Sequence, residues 1–93
     1  MKKYEVMYII RPAIEEEARK AIIEEVNNIF VNNASTVAEV KEWGLRDLAY
    51  EISGETKGYY VLLNVEATPE AVAEFDRIAN IRETIIRHIV VVA

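Results

Sequence analysis

Residues 57–65, KGYYVLLNV, decide the fold of this chain, because they form a strand that has no polar side. All residues from Tyr59 to Leu63 are apolar or aromatic. Successive side chains of a strand point to opposite faces, so a strand with one solvated face should alternate between apolar and polar residues. The stretch therefore predicts a sheet strand whose second face also needs a cover.

Five further elements surround this strand and give the predicted order β-α-β-β-α-β. Thr68-Pro69-Glu70 starts the second helix, because threonine caps free N–H groups, proline fits the first helical position and glutamate meets the helix dipole. Gly44 interrupts the long second strand, and an isolated glycine in a strand indicates a bulge. The other predicted elements are strands at 3–11, 36–52 and 84–92 and a helix from 15 to about 32.

This order predicts a ferredoxin-like α+β fold, with two helices on one face of a four-stranded antiparallel sheet. We expect residues 1–93 to form a single domain. One face of KGYYVLLNV then packs on the helices and the other stays open. We expect the helix side to hold Tyr60, Leu62 and Val65, and the open side Tyr59, Val61, Leu63, Met7, Ile9, Ile89 and Val91.

A continuous apolar and aromatic patch on an open sheet face favours a contact surface, because monomers rarely leave large apolar patches bare. The alternative is a set of ordinary exposed hydrophobic residues covered by long neighbouring side chains. Both interpretations remain open from the residues alone.

The charge pattern distinguishes the two predicted layers. The net charge is −5, which argues against a protein that coats nucleic acid nonspecifically. The bases of the strands and loops lie at strand ends, so an acidic back and a basic rim could orient the protein on a polyanion; solvated faces without a partner are the alternative. The helices carry Glu15, Glu16, Glu17, Glu24, Glu25, Glu70, Glu74 and Asp76 against Arg19, Lys20 and Arg77.

Composition excludes several classes of protein and site. The chain has no cysteine, and no segment approaches the roughly 20 apolar residues of a membrane span. The N-terminus, MKKYEVMYIIRP, lacks the apolar length and cleavage site of a signal peptide, so we expect a cytoplasmic protein. His88 is the only histidine, and there is no phosphate-binding glycine loop and no metal-ligand spacing, so we expect neither an enzyme nor a cofactor or metal.

The start of KGYYVLLNV partly matches the RNA-recognition motif, which places aromatic residues on its third strand to stack on bases. Lys57, Gly58 and Tyr59 fit that pattern. Tyr60 stands where a small residue belongs, and Val61 where a stacking aromatic belongs. The pattern does not favour this motif.

The whole chain resembles the family of bacterial ribosomal small-subunit protein number six (ribosomal protein S6). The most specific residues are Trp43, Gly44, Arg46 and the following Leu48-Ala49-Tyr50. The resemblance implies a structural ribosomal protein that binds small-subunit ribosomal RNA in its central domain. It also implies a partner, small-subunit ribosomal protein number eighteen, with which members bind RNA cooperatively. The matching segments are KKYEVMYIIRP at 2–12, VAEVKEWGLRDLAYEI at 37–52, KGYYVLLNVEA at 57–67 and IRETIIRHIVVV at 81–92.

The chain departs from the family pattern in four places. Glu51 replaces the usual proline, and Asp47 stands where a basic residue is common. Asn33-Ala34 replaces a turn that usually contains glycine, and the chain ends at Ala93, before the short C-terminal extension of many members.

Binding residues are expected among the bases and exposed aromatics of the matching segments. Arg46 and Arg87 rank first, because they lie within those segments and guanidinium suits phosphate. The alternative function is a ferredoxin-like ligand-binding or regulatory domain that forms a homodimer through its open sheet face; a sizing column and an RNA titration separate the two. The candidates are Lys2, Lys3, Arg46, Lys57, Arg82, Arg87, Tyr50 and Trp43.

Overall fold

The computed structural model describes residues 1–93 and contains the six elements in the predicted order. The strands form one sheet in the order β2-β3-β1-β4, and every neighbouring pair is antiparallel. The predicted ferredoxin-like fold is confirmed. The elements are β1 (Lys2–Ile10), α1 (Glu16–Asn32), β2 (Thr36–Ile52), β3 (Glu55–Ala67), α2 (Pro69–Ile81) and β4 (Ile85–Val92).

The two helices begin in different ways. The hydroxyl of Thr68 accepts a hydrogen bond from the Ala71 N–H at 3.2 Å, and Pro69 occupies the first turn of α2, as predicted. Glu15 precedes α1 without making a capping hydrogen bond, so the dipole favours this start through Glu16 and Glu17. Neither helix combines the length and the apolar character that crossing a membrane requires.

The hydrophobic core lies between the two helices and one face of the sheet. Phe75 of α2 is fully buried, and its ring centroid lies 5.6 Å from that of Phe30 in α1 and 6.2 Å from that of Tyr8 in β1. Offset and tilted aromatic contacts of this kind add to the energy of burial. Aromatic side chains therefore join both helices to the centre of the sheet.

The alternation of β3 is opposite to the prediction. Val61 and Leu63 are fully buried in the core, and Tyr59 packs against it. Tyr60 and Leu62 point to the open face, so their assignment to the helix side was wrong, as was the assignment of Tyr59, Val61 and Leu63 to the open side. Val65 lies in the core, as predicted. The reason is the polarity of Asn64 and Glu66, which favours the solvated side of the sheet. The odd-numbered residues from Val61 to Ala67 then all point into the core.

The open face carries the predicted residues of β1 and β4. Met7 lies opposite Leu62 on one side and Ile89 on the other, and directly opposed residues share a sheet face. Ile9 lies in the next row, opposite Tyr60. Ile9 is only 2% exposed, although no helix covers this face. Another part of the chain must therefore lie over it.

Candidate nucleic-acid and partner interface

A bulge in β2 projects Trp43 from the sheet. The pairing register of β2 with β3 shifts between Glu42 and Gly44, which leaves Trp43 as the extra residue. Gly44 has φ +84°, a conformation that glycine adopts without a Cβ penalty. The Trp43 side chain leaves the ladder and remains 46% exposed. The glycine thus creates an aromatic surface at the sheet edge.

Arg46 lies against that aromatic surface. Its guanidinium carbon is 5.6 Å from the centroid of the Trp43 ring, within the range of about 6 Å for a cation–π contact. Arg46 takes part in none of the ion pairs of the molecule. The contact restricts the guanidinium while leaving its N–H donors available to another molecule.

A second arginine–aromatic pair joins the two edges of the sheet. Nη1 of Arg87 in β4 donates a hydrogen bond to the Tyr50 hydroxyl in β2, and its guanidinium carbon lies 5.9 Å from the Tyr50 ring centroid. Since β2 and β4 are the outer strands, residues 46–57, here called the arm, must reach across the end of β1. Tyr50 is 60% exposed, so this pair also faces solvent.

Arg11, directly after β1, holds the arm in place. Its Nε donates to the Glu83 carbonyl at 2.6 Å and its Nη1 to the Ser53 carbonyl at 3.4 Å. Ser53 is at the turn of the arm, and Glu83 precedes β4. One guanidinium therefore ties the tip of the arm to the opposite edge of the sheet.

The arm and β3 explain the burial of Ile9. A Cβ on Gly58 would lie 2.2 Å from Cγ2 of Ile9, 3.5 Å from the Leu48 side chain and 3.7 Å from the Ile86 side chain. Glycine leaves the space into which Ile9 packs. The absence of a side chain at Gly58 therefore lets the arm close onto the sheet.

A row of open-face positions lies between the two arginine–aromatic pairs. Gly44, Tyr60, Ile9 and Arg87 follow one another directly across the four strands. Tyr60, which is half-buried, offers an aromatic ring between the two guanidinium groups, whereas Ile9 beside it is covered by the arm. Aromatic rings of this kind stack on unpaired bases, and arginine donates to phosphates. We call Trp43, Arg46, Tyr50, Tyr60 and Arg87 the arginine–aromatic surface.

The structure does not bring the other predicted residues to this surface. Lys57 lies in the arm, and its Nζ is 4.0 Å from the carboxylate of Asp47. Arg82 forms an ion pair with Glu25 of α1, on the helix side. Lys2 and Lys3 begin β1, about 20 Å along the strand from Ile9 at 3.4 Å per residue. Of the eight predicted residues, the structure brings together Trp43, Arg46, Tyr50 and Arg87. Lys2 and Lys3 lie far from these four, and Lys57 and Arg82 are already paired with acids.

Tyr59, which matches the RNA-recognition pattern, lies on the helix side of the sheet. Its hydroxyl donates to Glu42 Oε1 at 2.8 Å, and the Arg19 guanidinium lies 4.0 Å from its ring centroid. Burial first, and then the hydrogen bond to Glu42, raise the pKa of Tyr59 above its ordinary value. Of the two tyrosines in β3, Tyr60 is the one on the open face. The sequence signal for this orientation was the polar character of Asn64 and Glu66, which share its side of the strand.

The remaining polar groups serve structure. His88 faces the helices, where its ring meets Phe75 edge-on and its Nε2 lies 2.7 Å from Asp76 Oδ1. No three His, Asp or Glu side chains are grouped so that they could hold a metal ion. The arrangement on the open face is suited to binding another molecule.

Comparison with known proteins agrees with the fold and with the motifs. Residues 3–92 match the family model described as ribosomal protein S6. The structure is similar to the crystal structure of 30S ribosomal protein S6 from Thermotoga maritima, with a TM-score of 0.93 and 27% sequence identity. The similarity covers 99% of this chain and 87% of the Thermotoga chain. The chain therefore belongs to the ribosomal protein S6 family, structural components of the small ribosomal subunit that act in translation and are not enzymes.

Proposed function

We propose that this protein binds the central domain of small-subunit ribosomal RNA through its arginine–aromatic surface. The observation that supports the proposal is the position of Arg46 and Arg87, which are held against the exposed rings of Trp43 and Tyr50 on either side of Tyr60. Their N–H groups suit phosphate oxygens, and the rings suit bases that are not paired within a duplex. The third arginine–aromatic pair, Arg19 with Tyr59, lies on the helix side, where the Tyr59 hydroxyl donates to Glu42.

The charge distribution supports a single orientation on RNA. The exposed sides of α1 and α2 carry most of the excess acid, and they lie on the opposite side of the sheet from Arg46 and Arg87. RNA repels the helical layer and attracts the guanidinium groups. The phosphate contacts supply affinity, and the shape of the folded RNA supplies much of the specificity.

The rest of the open face is proposed to meet small-subunit ribosomal protein number eighteen. Met7, Leu62 and Ile89 form a row across three strands, and Val91 extends the apolar surface towards the edge. Ile89 is 37% and Val91 is 54% exposed, so a partner that covered them would bury additional apolar area. A shared surface beside the RNA site would make the two proteins bind RNA cooperatively.

The proposal is tested by titrating a central-domain RNA fragment with this protein, with the partner protein, and with both. We expect weak binding by this protein alone and a clear gain in affinity when the partner is present. Trp43 is the only tryptophan, so its fluorescence reports contact at the surface directly. Equal affinity with and without the partner would contradict the cooperative part, and unchanged fluorescence at saturation would contradict the RNA site.

Residues 1–93 act as a single domain in the cytoplasm, as part of the ribosome. The candidates outside the arginine–aromatic surface contribute less to binding than Arg46 and Arg87 do, and alanine at each should change RNA affinity less. Those candidates are Lys2, Lys3, Lys57 and Arg82.

A further inference from the structure

The far end of the arm is held only loosely by its own strand pairing. The pairing of β2 with β3 continues as far as Asp47, opposite Lys57, and it resumes only at Ile52, opposite Glu55. Residues 48–51 of β2 therefore face a single residue of β3. A two-stranded ribbon is at best marginally stable on its own in water. The position of the arm over the sheet must come from contacts outside the ribbon.

Arg11 is fixed at its base and reaches the arm with its side chain. Its backbone N–H donates to the carbonyl of Thr84, directly before β4, at 2.9 Å. Its guanidinium donates to the carbonyls of Glu83 and Ser53, at 2.6 and 3.4 Å. Nη1 also lies 4.0 Å from the carboxylate of Glu55, on the far side of the turn. These groups meet at one planar guanidinium, whose rigid fork of donors fixes their relative positions.

A second polar contact joins the arm to β4, but it belongs to the proposed RNA site. Arg87 donates to the Tyr50 hydroxyl, and a phosphate bound by Arg87 competes with that hydroxyl for the same donors. This contact therefore weakens when it is most needed. Arg11 differs, because its donors already point at carbonyl groups of the protein and its side chain is only 33% exposed. Arg11 can hold the arm whether or not RNA is bound.

We propose that Arg11 is a positioning residue of the RNA site, which makes no contact with RNA itself and holds the arm so that Tyr50 lies against Arg87. Without this contact the arm leaves the sheet for part of the time. The affinity for RNA then falls in proportion to the fraction of molecules whose arm is in place. This inference rests on the proposed function, because it names the residue that shapes the surface to which RNA is proposed to bind.

The test compares Arg11→Gln and Arg11→Lys with the unchanged protein. Lysine keeps the positive charge, but its single ammonium lacks the planar fork that bridges two carbonyls. Both variants should therefore bind the central-domain RNA fragment about threefold to thirtyfold more weakly. The salt dependence of RNA binding should stay the same in Arg11→Lys, because no phosphate contact is lost. Urea denaturation followed by circular dichroism checks that both variants are folded.

A measurement without RNA follows the arm itself. In the unchanged protein, NMR should show nuclear Overhauser contacts between the Tyr50 ring and the Arg87 side chain, and these contacts should weaken in both variants.

A covalent bridge can replace the contact that Arg11 makes. The chain has no cysteine, so the pair Ser53→Cys and Glu83→Cys can be joined by a short thiol crosslinker without side reactions at other thiols. In the Arg11→Gln background, the crosslinked protein should recover both the Tyr50–Arg87 contacts and the affinity for RNA. The same protein with free thiols is the control and should recover neither.

Several outcomes would overturn the proposal. Normal RNA affinity in Arg11→Lys beside weak binding in Arg11→Gln would show that the charge of Arg11 acts on RNA directly. Unchanged Tyr50–Arg87 contacts in both variants would show that the arm does not depend on Arg11. Unfolding of both variants would show that Arg11 stabilises the whole domain. If the unchanged protein does not bind RNA, the proposed function fails, and the NMR contacts still decide whether Arg11 holds the arm.

Discussion

The two faces of the sheet are built from the same strands but are covered in different ways. On the helix side, Val6, Tyr8 and Leu63 are 0% exposed beneath two helices. On the open side, Ile9 and Leu62 reach 2% and 9% exposure without a helix above them. The arm lies over Ile9, which packs into the space that Gly58 leaves, while Ile89 and Val91 near the β4 edge stay exposed. The chain covers the helix side of the sheet completely and the open side only in part.

This difference predicts where substitutions affect folding and where they affect binding. A residue of the helix side loses contacts with both helices when it is shortened, so the cost appears in the free energy of unfolding. A residue of the open side loses fewer contacts within the chain, so the cost should appear when a partner or RNA is bound.

The largest effect is expected for Phe75→Ala, which tests the helix-covered face. Phe75 is fully buried and contacts both Phe30 and Tyr8, so its loss should lower the free energy of unfolding by about 3–5 kcal/mol. Urea denaturation followed by circular dichroism measures the change. Ile89→Ala is the matched change on the open face and should cost less than half as much. Similar losses for both variants would refute the contrast between the faces.

Gly58→Ala tests how the open face is covered. The new Cβ would overlap Cγ2 of Ile9, and overpacking of this kind costs about 1–3 kcal/mol of stability. Combining it with Ile9→Ala should make the two costs non-additive, because removing the Ile9 branches makes room for the new methyl group. Additive losses in the double variant would show that Gly58 and Ile9 are not coupled, and that the covering of Ile9 has another cause.

Arg46→Ala tests the proposed RNA contact with the folded protein intact. Thermal stability should change by no more than about 0.5 kcal/mol, because Arg46 is a surface residue without an ion pair. Binding to RNA should weaken by about 1–3 kcal/mol, and the salt dependence should fall by about one ion if a phosphate contact is lost.

Lys20→Ala is the control for Arg46→Ala, because it removes the same charge from the helical layer, where Lys20 pairs with Glu16. RNA titrations at two salt concentrations, beside a melting curve, distinguish the outcomes. Intact folding with unchanged RNA affinity in Arg46→Ala would exclude this residue from the site. A large drop in melting temperature would show that its role is structural.

The sequence contained enough information for the elements and their order. Thr68-Pro69 set the start of α2, and the glycine at position 44 indicated the bulge that the structure places there. The faces of β3 were assigned incorrectly because its five apolar residues gave no alternation of their own. Asn64 and Glu66, later in the same strand, are polar and even-numbered, and they would have fixed the alternation.

The candidate site was less predictable than the fold. Trp43, Arg46, Tyr50 and Arg87 were found from a resemblance and from residue type, but their pairing depends on the path of the arm across the end of β1. That path is set by Arg11 and by the missing side chain at Gly58. Contacts between residues 37 positions apart, such as Arg87 with Tyr50, have no periodic signal in a sequence.

The smallest effect is expected for Tyr8→Phe, which tests an unsatisfied polar group beneath the helices. The Tyr8 hydroxyl is buried without a hydrogen-bond partner, and an unsatisfied buried group costs about 1–3 kcal/mol. Removing the hydroxyl relieves this cost, and the small void that it leaves offsets part of the gain. The variant should therefore be stabilised by up to about 1 kcal/mol at neutral pH. Tyr59→Phe, which loses the bond to Glu42, should instead be slightly destabilised. A clear loss of stability in Tyr8→Phe would show that the hydroxyl has a partner.

The same variant should alter the response to alkali. Burial first, and then the charge of Glu42, raise the pKa of Tyr8 far above the ordinary tyrosine value of 10.0. Above pH 10 the unfolded chain therefore releases the Tyr8 proton while the folded protein keeps it, so the stability of the folded state falls as pH rises. Tyr8→Phe removes this contribution, and its urea midpoint should decline less between pH 9 and about pH 11 than that of the unchanged protein. If the urea midpoints of the two proteins declined equally, other groups, such as Tyr59, would be responsible for the loss of stability at high pH.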